Sequence, residues 1–163
     1  MNPLFVESVG MLAPGLVGWA ASQEVLAGGR PYVAGPMPPT VATLLPANER
    51  RRTTATVKLA LHVAQEAMDQ AILTPNRSPK EQGELSVATV FASSGGDSEV
   101  LDKICTALTQ SDRPVSPTQF HHSVHNTPAG YWSIATGCTQ PSLSLSAHDG
   151  SFAVGLLEAA ALA

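Results

Sequence analysis

The chain has 163 residues, enough for one globular domain that buries roughly two thirds of the surface its unfolded form exposes. Charged residues make up only 13% against 44% hydrophobic ones, so too few charges remain to cover an ordinary free surface, and a face is expected to lie against another subunit; an Ala-, Gly- and Pro-rich compositional bias is the other account. A net charge of -4 with nine Lys plus Arg leaves no basic stripe for phosphate contacts, which argues against nucleic acid as a partner.

Residues Leu4 to Leu12 are mostly apolar with β-branched members and break at Pro14-Gly15, predicting a buried strand and a turn. A short helix from about Val17 to Ala27 follows, stopped by Gly28-Gly29. Pro31, Pro36, Pro38, Pro39 and Pro46 make Arg30 to Pro46 an extended surface loop. The clearest helix runs from about Asn48 to Leu73. Its apolar positions Val57, Ala60, Leu61, Ala64, Ala67, Met68, Ala71 and Ile72 repeat with helical spacing, while Lys58, Glu66, Asp69 and Gln70 fall largely on the other side. The triplet Arg50-Arg51-Arg52 beside Glu49 reads as a solvated helix start, or as a contact for an acidic carrier protein.

A polar loop from Thr74 to Glu84 precedes a strand, Leu85 to Ala92, then Ser93-Ser94-Gly95-Gly96 and a helix from about Asp97 to Thr109. Ser116-Pro117-Thr118-Gln119 has a helix-start pattern, with Ser as N-cap and Gln placed to bond back to it. That helical region extends to Thr136 with an interruption at Pro128. Leu143 to Ala147 reads as a short strand, and Gly150 to Ala163 as a helix apolar nearly all round, with Glu158 its only charge, which predicts burial on every side.

Chemistry-bearing residues are sparse. Cys105 and Cys138 have neither the density of a disulfide scaffold nor zinc-site spacing, and they suit a reducing cytosol. Cys105, near Ile104 and Leu108, is expected in the core, and Cys138 as an inert thiol in a turn. Without a basic N-terminal start or a run long enough to span a bilayer, the chain is expected to be cytoplasmic, with no membrane insertion. His121 and His125, spaced i, i+4 with His122 beside them, suggest a metal face. No carboxylate or cysteine group accompanies them, so neither metal nor cofactor is expected. Gly96-Asp97-Ser98 imitates an esterase block but has no Asp-x-x-His partner, and Gly95-Gly96 lacks the Lys-Ser/Thr of a phosphate cradle.

The segment from Ser116 to Glu158 is the most specific. Ser123-Val124-His125-Asn126, Ala129-Gly130-Tyr131 and Pro141-Ser142-Leu143-Ser144-Leu145-Ser146-Ala147 resemble the nucleophile region of β-ketoacyl synthases, in which a cysteine at a helix entrance takes the acyl chain. FVESVGMLAPGLVGWAASQEVLAGGRP and RRTTATVKLALHVAQEAMDQAIL are similar to that family's first strand-turn-helix and its following helix. The resemblance therefore covers nearly the whole chain and implies an α/β thiolase-like fold, with residues 1–163 forming the N-terminal half of a ketosynthase, without the second half that brings the catalytic histidines. Within that family it resembles short β-ketoacyl synthase-like proteins of aryl polyene gene sets, which resemble chain length factors in polyketide or fatty-acid biosynthesis.

Aligned without gaps, Asp149 stands where the cysteine would be. Thioester exchange needs a soft nucleophile whose pKa the helix end lowers, and a carboxylate is a poor substitute. Asp149 is instead expected to cap the last helix, and the adjacent His148 to point away from it rather than form a dyad. The resemblance implies a non-catalytic subunit that pairs with an active ketosynthase as a heterodimer and works on chains held by an acyl carrier protein. A stand-alone acyl-thioester decarboxylase or acyltransferase using Asp149 or His148, and a self-associating, carrier-binding homodimer, are the alternatives. By the same resemblance Phe120, His121, His122 and Val124 approach the partner and gate an acyl tunnel, with Phe120 the bulkiest gate. Tyr131 and Trp132 can stack along an unsaturated chain, core packing being the other role for Trp132. His125 and Asn126 are expected to hydrogen-bond around a helix bend at the subunit contact.

Overall fold

A computed structural model describes residues 3–40, 42–72 and 87–163. The chain opens irregularly and then makes a two-residue-per-strand antiparallel hairpin, β1 (Leu12–Ala13) and β2 (Leu16–Val17), closed by Gly15 at φ 73°. The long buried strand expected over Leu4 to Leu12 is not formed: Phe5 and Val6 are 85% and 78% exposed. An apolar, β-branched run without a neighbouring ladder cannot satisfy its backbone groups, and the hairpin pairs only Leu12 with Val17 and Ala13 with Leu16.

Helix α1 (Trp19–Leu26) ends where expected, with Gly28 in the left-handed region at φ 77°. The proline-rich stretch that follows is largely exposed, except that Ala42 and Leu45 are driven into the core. The expected single helix from Asn48 is two, α2 (Ala47–Arg52) and α3 (Ala55–Ile72), because Thr53 turns extended (ψ 149°) and Thr54 Oγ1 restarts the helix by accepting the Val57 N–H at 3.3 Å. Leu73, the Thr74 to Glu84 loop and the start of the Leu85 strand lie outside the described residues.

Strand β3 (Thr89–Ala92) pairs in parallel with β4 (Ser142–Leu145), Thr89 opposite Ser142 and Ala92 opposite Leu145. A parallel pair needs a crossover, here α4 (Ser98–Leu108), α5 (Pro117–Ser123) and α6 (Thr127–Thr136). Asp97 caps α4 by accepting the Val100 N–H at 3.1 Å. Ser116 is the N-cap of α5, but neither it nor Gln119 forms the expected capping bond. The break between α5 and α6 falls at Val124 to Asn126, ahead of Pro128, which sits comfortably in the first turn of α6. A one-turn 3-10 helix, His148–Gly150, leads into α7 (Ser151–Leu162).

Successive residues of β3 face opposite sides. Phe91 packs on the core formed by Val57 and Leu61 of α3, Tyr131 and Trp132 of α6, and Ala42 and Leu45 of the loop. On the other face α7 lies so close that a Cβ added at Gly155 would stand 2.7 Å from Ala92 Cβ. This is an α/β arrangement with helices on both sides of the sheet. The outer face of α7 is not buried as expected: Phe152 and Leu157 are 81% and 71% exposed, and only Ser151 and Gly155 are buried. Cys105 is also exposed, on the outer side of α4, rather than in the core.

Candidate functional site

The parallel ladder carries β3 and β4 to a common end, where Ser93 N–H bonds Leu145 O at 3.1 Å and Ser146 Oγ bonds Ser94 O at 3.0 Å. Position 149 follows at once. His148 is forced to φ 50°, and Ser151 Oγ clamps the turn by accepting the Ala147 N–H at 3.0 Å and donating to His148 O at 2.6 Å. A left-handed residue there is strained and re-aims the chain sharply from strand to helix. The cap of α7 is Gly150 rather than Asp149, which sits one residue too early and makes no capping bond. The same turn brings the His148 and Asp149 side chains together, Nδ1 to Oδ1 at 3.4 Å, contrary to the expectation that they point apart. Both are about nine-tenths exposed, 89% and 95%, so water competes fully for the pair. They border a groove of about 650 Å³ shared with Ser94, Phe152, Leu156 and Ala159.

The histidine cluster divides between two environments. Extended backbone at Val124 ends α5, so His121 and His125 do not share one helix face, and among the described residues no three His, Cys, Asp or Glu side chains gather as a metal site. His122 is buried, its Nε2 2.9 Å from Arg52 O and its ring stacked on Tyr131 at 5.6 Å between centroids and 20° between planes. Burial pushes its pKa below the ordinary histidine value, the Arg52 carbonyl acting against that shift and the nearby His121 adding to it. His121 is exposed and meets both rings edge-on. His125 Nε2 reaches Leu145 O at 2.9 Å, tying the α5–α6 bend to the end of β4. Asn126 is exposed at the start of α6 and makes no side-chain cap.

His122, Val124 and His125 also line an apolar cleft of about 510 Å³ between α3, β3 and α6, with Asp97 at its margin. Sequence reasoning had assigned Asp97 no role beyond a chance motif and did not foresee this cleft, whose walls come from segments far apart in the chain. Phe120 stands outside it, 65% exposed, while Tyr131 and Trp132 belong to the core at 4% and 2%.

Residues 19–163 match the family model described as Beta-ketoacyl synthase, N-terminal domain. The chain belongs to this family. Among solved structures it is similar to a ketosynthase (ApeO) in complex with its chain length factor (ApeC) from Xenorhabdus doucetiae, with a TM-score of 0.72 and 26% sequence identity over 95% of this chain. The fold is accordingly the ketosynthase-type, thiolase-like one. The match spans 61% of the length of that chain. No curated protein matches. No helix among the described residues is long and apolar enough to cross a membrane.

Proposed function

We propose that this chain is a ketosynthase-like subunit without a nucleophile of its own, which pairs with an active ketosynthase in carrier-bound acyl chain extension. The observation that carries this reading is Asp149 at the strand-to-helix turn, where the family's acyl-accepting cysteine is expected. An exposed carboxylate there cannot act as a soft thioester nucleophile. Support comes from the likeness to a ketosynthase in complex with its chain length factor, and from the uncovered apolar face of α7, which follows the same turn.

The test is co-expression with a ketosynthase encoded beside it, followed by mass determination and acyl loading. A stable heteromer loaded only on the partner's cysteine is the expected result. The His148–Asp149 contact favours a second reading, direct action on acyl thioesters, and acyl transfer by this chain alone that Asp149→Asn abolishes would establish it instead. Phe120 projects from α5 into solvent and is available to reach a partner's tunnel. Phe120→Ala is expected to lengthen the products of the pair at unchanged complex yield, read by mass spectrometry; unchanged product length at that yield would remove Phe120 from the gate.

A further inference from the structure

The cleft between α3, β3 and α6 has an apolar body, to which Ala60, Val63, Ala64 and Ala67 of α3 and Phe91 of β3 contribute. Its about 510 Å³ lies within the roughly 300–1,000 Å³ typical of small-molecule sites. At its polar margin Asp97 Oδ2 and His122 Nδ1 are buried and bond no described residue, although Asp97 Oδ1 is engaged at the α4 cap. His125 belongs to the same margin: a Cβ on Gly96, next to Asp97, would lie 3.4 Å from its Nδ1.

The hydrogen-bond polarity of this margin follows from the partners on the far side of each ring. Arg52 O and Leu145 O can only accept, so His122 and His125 present Nε2–H to them, and the Nδ1 of each neutral ring is a lone pair. Burial holds His122 in that neutral form. Asp97 adds a carboxylate oxygen. The margin thus offers two buried acceptors without a described partner, Asp97 Oδ2 and His122 Nδ1, with the His125 ring beside them, and buried acceptors of this kind are ordinarily satisfied.

We infer that this cleft binds an apolar chain that ends in a hydrogen-bond donor, a hydroxyl or an ammonium, with the chain along α3 and the donor at Asp97, His122 and His125. A chain ending in a carboxylate brings only acceptors and a second negative charge to Asp97, and is held more weakly. The inference concerns a site separate from position 149 and does not depend on the proposed pairing.

Titration calorimetry of the full chain with octan-1-ol, octylamine and octanoate tests it, with the ring nitrogen chemical shifts of His122 reporting the location. The alcohol and amine are expected to bind and to shift His122 Nδ1, with octanoate weaker by about tenfold or more. Asp97→Asn keeps a capping oxygen but can turn an amide donor into the cleft, so the alcohol-over-octanoate preference should fall about tenfold. Ala60→Phe, which fills the apolar body, should abolish binding of all three. Absence of binding by alcohol and amine, octanoate binding as well as they do, or a preference indifferent to Asp97→Asn would overturn the inference; the last would mark adherence to exposed apolar surface such as that of α7.

Discussion

A single buried imidazole couples the α5–α6 bend to solvent pH. Protonating His122 would place a second N–H at Nδ1, which has no described partner, inside an environment that already disfavours charge. Its folded-state pKa lies below the ordinary value of about 6.5, so between the two the unfolded chain binds the proton and the folded chain does not. Stability therefore rises with pH through this window and is lost as pH falls below the unfolded value. Urea midpoints are expected to drop on acidification through the histidine range, and His122→Gln to flatten that drop; an unaltered acid slope in the variant would assign it to other groups. The residue chemistry was only partly legible in the sequence. The expectation that Asp149 takes a cysteine's place rests on one aligned phrase, whose Ser142–Leu145 part forms β4. Whether His148 and Asp149 touch depends on one residue at φ 50°, and residue type does not report such strain for a histidine.

Among the secondary-structure elements, the anchor of the N-terminal hairpin is a carboxylate that helical periodicity had placed on the polar side of its helix. Glu66 of α3 accepts the Met11 N–H at 2.8 Å and the Trp19 N–H at 2.7 Å, so one side chain fixes both ends of the β1–β2 hairpin. Gly10 allows the approach, since a Cβ there would meet Val63 O at 2.0 Å. A glutamine can accept one of these bonds but presents a donor to the other amide, so Glu66→Gln should cost about 1–3 kcal/mol. Hydrogen exchange checks this: the Met11 and Trp19 amides should lose protection while the middle of α3 keeps its own. Equal loss along α3 would mean that the carboxylate supports the helix rather than the hairpin. Element types were largely legible, as in α1, α4, α6 and β4, because periodicity and glycine or proline punctuation are local. The division of α2 from α3 was not legible, because Thr53 and Thr54 are compatible with a helix interior and only packing selects the kink. The strand expected over Leu4 to Leu12 failed for the converse reason, since a strand is completed by a ladder partner that its own sequence does not name.

At the scale of the whole molecule, apolar surface is the quantity out of balance. Large apolar side chains stand in solvent on several elements, among them Phe120 at 65% and Ile134 at 59% exposure. Part of that surface lies on α7, with Phe152, Leu156 and Leu157 standing more than half exposed beside the groove that contains Asp149. Contiguous apolar patches of this kind mark protein contacts, and the low charge count of the sequence points the same way. What composition could not locate is the face concerned: an all-apolar helix reads as buried, whether its own chain or another covers it. On the proposed pairing, the partner ketosynthase covers it. Because these side chains contribute little to the chain's own core, Phe152→Asp with Leu157→Asp should leave the urea midpoint nearly unchanged, within the ~0.5 kcal/mol typical of surface positions. The same pair of substitutions should reduce recovery of the co-expressed heteromer by at least about tenfold, since a charge buried without a partner costs more than the 1.4 kcal/mol that a tenfold change represents. Mass determination of the co-purified complex measures this. Full recovery of the heteromer by the doubly charged variant would place the contact on another face, and loss of the chain's own folding would show that α7 is stabilised from within.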